Sequence, residues 1–130
     1  MTTILGSAIS GMAAAVKRAE VSAQNLVNMQ SVGTPGATGQ KSSYKAVEPV
    51  QTTDATGAPH IKVRERDPAT VQGHAPYHLL ADENGLVEMP NMDMASEIID
   101  QNMALNSYKA NVKMLEVWDE MQQATLDLKS

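Results

Sequence analysis

From Asn91 to Lys129 the chain contains neither Gly nor Pro, and nothing else in the sequence constrains the fold as strongly as that uninterrupted run. Asn91 and Asp93, just after Pro90, are residue types suited to capping a helix start, so one helix is predicted from there to about Lys129. At about 1.5 Å per residue it would be roughly 50 Å long, more than a small domain needs to span its own core. Its apolar residues do not keep to one line. Met94, Ile98, Leu105, Tyr108, Val112 and Leu115 form a first stripe, with Gln101 in one of its positions. Met103, Ala110, Met114, Trp118, Met121 and Leu128 form a second stripe that takes over toward the end. A seam that rotates around a helix calls for more than one packing partner.

The amino-terminal segment, about residues 3 to 29, is also free of Pro and predicts a second long helix. Leu5, Ile9, Met12, Val16, Ala19, Ala23 and Leu26 alternate spacings of four and three, as in a helix packed lengthwise on another. Gly6, Ser7, Ala8, Ser10, Gly11, Ala13, Ala14 and Ala15 leave most of its early circumference small, which permits close approach from several sides. Two interior glycines cost roughly 1 kcal/mol each in helix propensity, so contacts beyond the helix must hold it.

Those contacts are hard to supply from within. The chain has 130 residues, no Phe, one Trp and 3% aromatics, with nine Met and much Ala making up its apolar share. Aromatic side chains contribute much of a usual core's buried area, so a chain this poor in them has reason to borrow surface from partners. The net charge of -5 and the lack of a basic face argue against nucleic acid as a partner. The absence of Cys excludes disulfides, zinc fingers and thiol catalysis. Ile4 to Val16 is apolar but shorter than the about 20 residues of a membrane span. Its basic pair Lys17-Arg18 follows the apolar run instead of preceding it, so neither membrane insertion nor a cleaved signal peptide is expected.

The predicted organisation is mainly α: an assembly helix over 1–30, a loop over 31–43, a small β-rich insert over 44–90 and a second assembly helix over 91–130. The two helices are expected to pair like a coiled coil. Thr34-Pro35-Gly36 marks a turn in the loop. Gly39-Gln40-Lys41-Ser42 is not a phosphate loop, because Gln40 separates the Gly from the Lys. In the insert, Tyr44 to Val50, His60 to Arg66, Tyr77 to Ala81 and Leu86 to Met89 read as short strands that could form one sheet. Asp82-Glu83-Asn84-Gly85 reads as a hairpin loop between the last two, while Thr52 to Pro59 and Asp67 to Pro76 read as mobile connections.

Little in the sequence suggests chemistry. His74 and His78 would meet only on a helix, which Pro76 opposes, and no cofactor, metal site or catalytic constellation is expected. Gln24, Asn25, Asn28, Gln101, Asn102, Asn106 and Asn111 recur on the helices. They suit a solvated surface and interhelical hydrogen bonding equally well.

Two stretches carry a family resemblance. Ser22-Ala23-Gln24-Asn25-Leu26-Val27-Asn28, followed by Thr34-Pro35-Gly36, resembles the S-x-N-N-I/L-A/V-N and T-P-G signature of bacterial flagellar rod and hook axial proteins. Asp82 to Asp93, with Glu97-Ile98 and Asn106-Ser107-Tyr108-Lys109-Ala110-Asn111-Val112 beyond it, resembles the proximal-rod members of that family. Gln24 in place of Asn and Leu86 in place of Tyr are departures.

The resemblance implies a non-enzymatic subunit of the periplasm-spanning flagellar basal-body rod, exported by the flagellar type III apparatus without cleavage. It would contact other rod and basal-body proteins and copies of itself, forming part of a torque-transmitting drive shaft around an export channel. Its terminal helices would become ordered on assembly. The expected interface on the first helix comprises Leu5, Ile9, Met12, Val16, Asn25, Leu26 and Asn28. On the second it comprises Ile98, Leu105, Tyr108, Asn111, Val112, Leu115 and Trp118. Two rival readings stand beside it: a metal- or ligand-binding domain using His60, His74 and His78, and a helical secreted adaptor.

Overall fold

The computed structural model describes residues 4–55 and 57–128. Helix α1 spans Ile4–Asn28 and helix α2 spans Met94–Asp127. Thr3 and Lys129, where the sequence reading placed the outer helix ends, lie outside the described residues. Of the two candidate caps, Asp93 is the one that closes α2: its carboxylate accepts from the Ser96 backbone N–H at 2.9 Å and from the Ser96 hydroxyl at 2.8 Å.

Between the helices run four short strands, β1 (Val47–Thr53), β2 (Pro59–Glu65), β3 (Thr70–His74) and β4 (Leu86–Pro90). They form two antiparallel ribbons, β1 with β2 and β3 with β4, in place of the single sheet expected. The first ribbon pairs Val47 with Glu65 and Thr53 with Pro59, so the stretch read as a mobile connection is the tight end of a hairpin. There the Asp54 carboxylate accepts from the Ala58 N–H at 3.0 Å.

The second ribbon differs more from expectation. Thr70–His74, read as connection, is a strand, and Tyr77 to Ala81, read as a strand, is a series of turns. The reason lies in which edges of β4 are free. One edge pairs with β3, and on the other Glu88 exchanges two backbone hydrogen bonds with Gly33 at 2.9 and 2.8 Å. The Tyr77 run has no edge left to join. It closes on itself through His78 N–H to Ala75 O and Ala81 N–H to His78 O, leaving Tyr77 and Leu79 fully exposed. Gly73 and Pro68 made the true strand look like loop, yet Gly73 is what leaves room for the Met89 side chain across the ribbon.

The Asp82 to Gly85 segment is a turn, as read, but it ends the long β3–β4 connection. Asp82 Oδ1 accepts from the Asn84 and Leu86 N–H groups, both at 2.8 Å. Those backbone donors, Leu86 foremost, hold its carboxyl below the usual carboxylate range despite an opposing desolvation effect.

The core is small in both senses. Its buried apolar residues are Ala8, Ala14, Ala15, Val21, Ala46, Val87 and Ala104, with no Leu, Ile, Met or aromatic among the described residues. The bulkiest fully buried side chain is the carboxylate of Glu97. Burying an Ala removes far less apolar area from water than burying a Leu, so this interior supplies little of the usual driving force.

Candidate assembly interface

The two helices lie antiparallel. Asn25 near the end of α1 meets Glu97 near the start of α2, Gly11 meets Asn111, and Ile4 shares a groove with Trp118. The α1 line that faces α2 includes Gly11, Ala15, Ser22 and Asn25, small or polar residues in a heptad-like series, with Arg18 at its longer, charged position. From α2 it is met by Glu97, Ala104 and Asn111, at seven-residue intervals. A Cβ added to Gly11 would stand 2.5 Å from the Asn111 side-chain oxygen, so the backbones approach as closely as glycine allows.

The predicted α1 stripe is therefore not the seam with α2. It lies beside that seam and is partly open: Leu5, Ile9 and Val16 are exposed, Ile9 by 51%, while Met12 and Leu26 are half-buried. On α2, Ile98, Leu105 and Tyr108 are exposed, Leu105 by 48%, and Val112, Leu115 and Trp118 are half-buried. Val16 and Ala19 share an apolar groove with Leu105 and Tyr108, so the first stripe of α2 and the α1 stripe form one continuous face. The second stripe emerges on the other flank of α2. There Met114, Val117, Trp118 and Met121 join Ile4 around an apolar groove of about 330 Å³. Both stripes thus stay largely uncovered by the chain's own helices, and β2 runs along the Ser10, Ala13 and Ala14 side of α1.

The polar residues divide differently from the expectation. Asn28, Asn102 and Asn111 each donate to the carbonyl four residues back on their own helix, at 2.8, 3.0 and 2.8 Å. A short carboxamide on a helix surface reaches its own preceding turn more easily than a neighbour. Asn25 does cross between helices, but within the chain, so it is fully buried and withdrawn from any outer surface. Its Nδ2 donates to Glu97 Oε1 at 3.0 Å and to Val47 O at 2.8 Å. Its Oδ1 accepts from the Val47 N–H and the Tyr44 hydroxyl, both at 3.1 Å.

Glu97, 1% exposed, is also ion-paired with the Arg66 guanidinium, whose other nitrogen donates to Asn91 O at 3.2 Å. Burial pushes the Tyr44 phenol above its ordinary pKa, with the Glu97 carboxylate adding to the effect and Arg66 opposing it. The sequence alone assigns no role to Glu97, Arg66 or Tyr44. The available signal was the seven-residue recurrence of Glu97, Ala104 and Asn111, which is polar and small where a seam is usually sought among large apolar residues.

The three histidines are not brought together as a site. His60 lies on β2, while His74 and His78 belong to the other ribbon and its loop. Among the described residues no three His, Asp or Glu side chains converge in a way that could hold a metal. No helix there is long and apolar enough to cross a membrane.

The family profile described as the C-terminal part of the flagellar basal body rod proteins FlgEFG matches residues 83–128, from the end of the β3–β4 connection through α2. Over nearly its whole length the chain is similar to flagellar basal-body rod protein FlgC of Salmonella typhimurium. The two are 35% identical, with 98% of this chain and 97% of the relative covered. FlgC of Escherichia coli O6:H1 is 36% identical, covering 96% and 92%. FlgC of Aquifex aeolicus is 30% identical, covering 91% and 89%. The chain belongs to the FlgC family of flagellar basal-body rod proteins, structural components of the flagellum.

Proposed function

We propose that this subunit builds the proximal rod by docking its helix pair, side by side, against neighbouring rod proteins and further copies of itself. In that arrangement α1 and α2 act as a coiled-coil-like unit, part of a drive shaft that carries torque and surrounds the export channel. The interface residues are exposed or half-buried: Leu5, Ile9, Met12 and Val16 with Ile98, Leu105, Tyr108 and Val112 on one face, and Trp118 with its methionine neighbours on the other. The two ribbons and the loop after Gln30 fill space between neighbours. Delivery is by the flagellar type III apparatus without a cleaved signal. A small interior with few large apolar side chains supports that route, since such a fold is readily taken apart and re-formed.

One observation carries the reading: large apolar side chains flank the helix pair on both sides while its own seam is built from small and polar residues. Contiguous exposed apolar surface of this kind marks an interaction site. The test is Leu105→Asp in a flagellated host. Leu105 already faces solvent, so the isolated variant should keep its helicity while motility and rod completion are lost, because assembly would bury an unpaired charge. Normal motility overturns the assignment of this face. Val112→Asp should act in the same direction, though Val112 is half-covered by its own chain.

A further inference from the structure

We infer that the buried cluster of Asn25, Glu97, Arg66 and Tyr44 is a register lock that selects one alignment of α1 along α2. The small-residue line of the seam is nearly indifferent to sliding. Ala8, Ala15 and Ser22 are small residues seven apart, so a slide of one heptad, about 10 Å, brings each onto its neighbour's place with little change in volume. No large apolar side chain is buried in the seam to forbid it.

Two features are not indifferent. Asn111 fits only over Gly11, since any Cβ there would collide with its carboxamide. The polar cluster is the more demanding of the two. In the observed alignment one Glu97 oxygen accepts from both Asn25 and Arg66, and no buried side-chain polar atom among the described residues lacks a partner. A slide would strip Glu97 of Asn25 and leave polar groups without partners in a dry seam, which is costly in a way that loss of an Ala contact is not. Buried polar pairs in coiled coils specify register by this means. The Gly33–Glu88 backbone pair also ties the two helix ends through segments 29–32 and 91–93, a second source of register that the cross-linking separates from the first.

Register matters because it brings Val16 beside Leu105 and Tyr108, making one face from two stripes. That consequence rests on the docking proposed above. The register itself does not, so the two can fail separately: the first by motility, the second by cross-linking of the isolated chain.

The chain has no cysteine, so introduced pairs would be its only thiols. Gly11→Cys with Asn111→Cys reports the observed register. Gly11→Cys with Ala104→Cys or with Trp118→Cys reports a slide of one heptad either way, and Asn111→Ala is added to these two so that the steric key is absent throughout. With the cluster intact, mild oxidation of monomer should join 11 to 111 almost alone. Glu97→Leu should raise one of the shifted cross-links relative to 11–111 by about tenfold, at unchanged far-ultraviolet circular dichroism. Glu97→Gln keeps the acceptor for Asn25 and should restore the original pattern. If Glu97→Leu still joins 11 to 111 alone, the connections set the register and the inference fails. If Glu97→Leu loses its helicity, the cluster holds the fold together and does not select among alignments, which also overturns it.

Discussion

The two ends of the helix pair are built on opposite principles. Where α1 ends and α2 begins, Asn25, Glu97, Arg66 and Tyr44 bond to one another and to the first ribbon, and polar groups are enclosed. At the far end Ile4, Met114, Val117, Trp118 and Met121 surround an open apolar groove. Directional bonds need partners in set places, so the first end is suited to specifying how this chain folds. Apolar surface is non-directional and stays available, so the second end is suited to whatever it meets in an assembly. On the docking and register proposed above, a chain with so little core would use polar geometry for uniqueness and keep most of its large side chains for other molecules.

Removing one partner from the closed end should break this contrast most severely. Arg66→Ala leaves the Glu97 carboxylate buried without its cation and should lower unfolding free energy by about 3 kcal/mol, read from urea denaturation. Next comes the close seam in the middle. Gly11→Leu forces side-chain volume against Asn111 and should cost about 2 kcal/mol, seen as a lower Tm, if the seam is as tight as the geometry requires.

The α2 cap offers a smaller, pH-dependent effect. Hydrogen bonds from Ser96, first its backbone N–H and then its hydroxyl, hold the Asp93 carboxyl below its ordinary value, with desolvation opposing. A folded pKa below the unfolded one means the contribution is complete above the unfolded value. It is lost as pH falls through the folded one. Helicity near the start of α2 should therefore hold through mild acid and fall only below the ordinary aspartate range, and Asp93→Ala should remove that acid-dependent step in a circular dichroism titration.

At the open end the effect on folding should be smallest. Met121→Gln should shift stability by no more than about 0.5 kcal/mol in the isolated chain while weakening rod assembly, measured by recovery of complete basal bodies. A large loss of stability would mean that the open end belongs to the fold.

Much of the architecture was legible because it rests on local rules. Freedom from Gly and Pro, and Asp93 ahead of the run, are enough to define α2, and the double stripe of α2 is visible as spacing alone. The strands were harder. Thr70–His74 and Tyr77 to Ala81 differ less in propensity than in whether an edge of β4 is free to take them, and Gly33, far away in the sequence, occupies one of those edges. The candidate interface was half legible. Leu105 and Ile9 could be picked out as large apolar residues at helical spacing, whereas Asn25 and Asn111, both polar residues on helices, were indistinguishable until their partners were in place.

By itself the sequence determined two long helices, an interior short of large apolar side chains, and stripes too numerous for one partner to cover, because these follow from residue type and a repeat of 3.6. It also carried the short motifs that mark the family. Only the tertiary structure decided which line of α1 faces α2. Close packing of two helices is governed by how near their backbones come, and that favours Ala, Gly and Ser at the contact over the bulkier stripe beside it. The enclosure of Glu97 was decided there as well, since a carboxylate can be buried only where Asn25 from one helix and Arg66 from the ribbons arrive together.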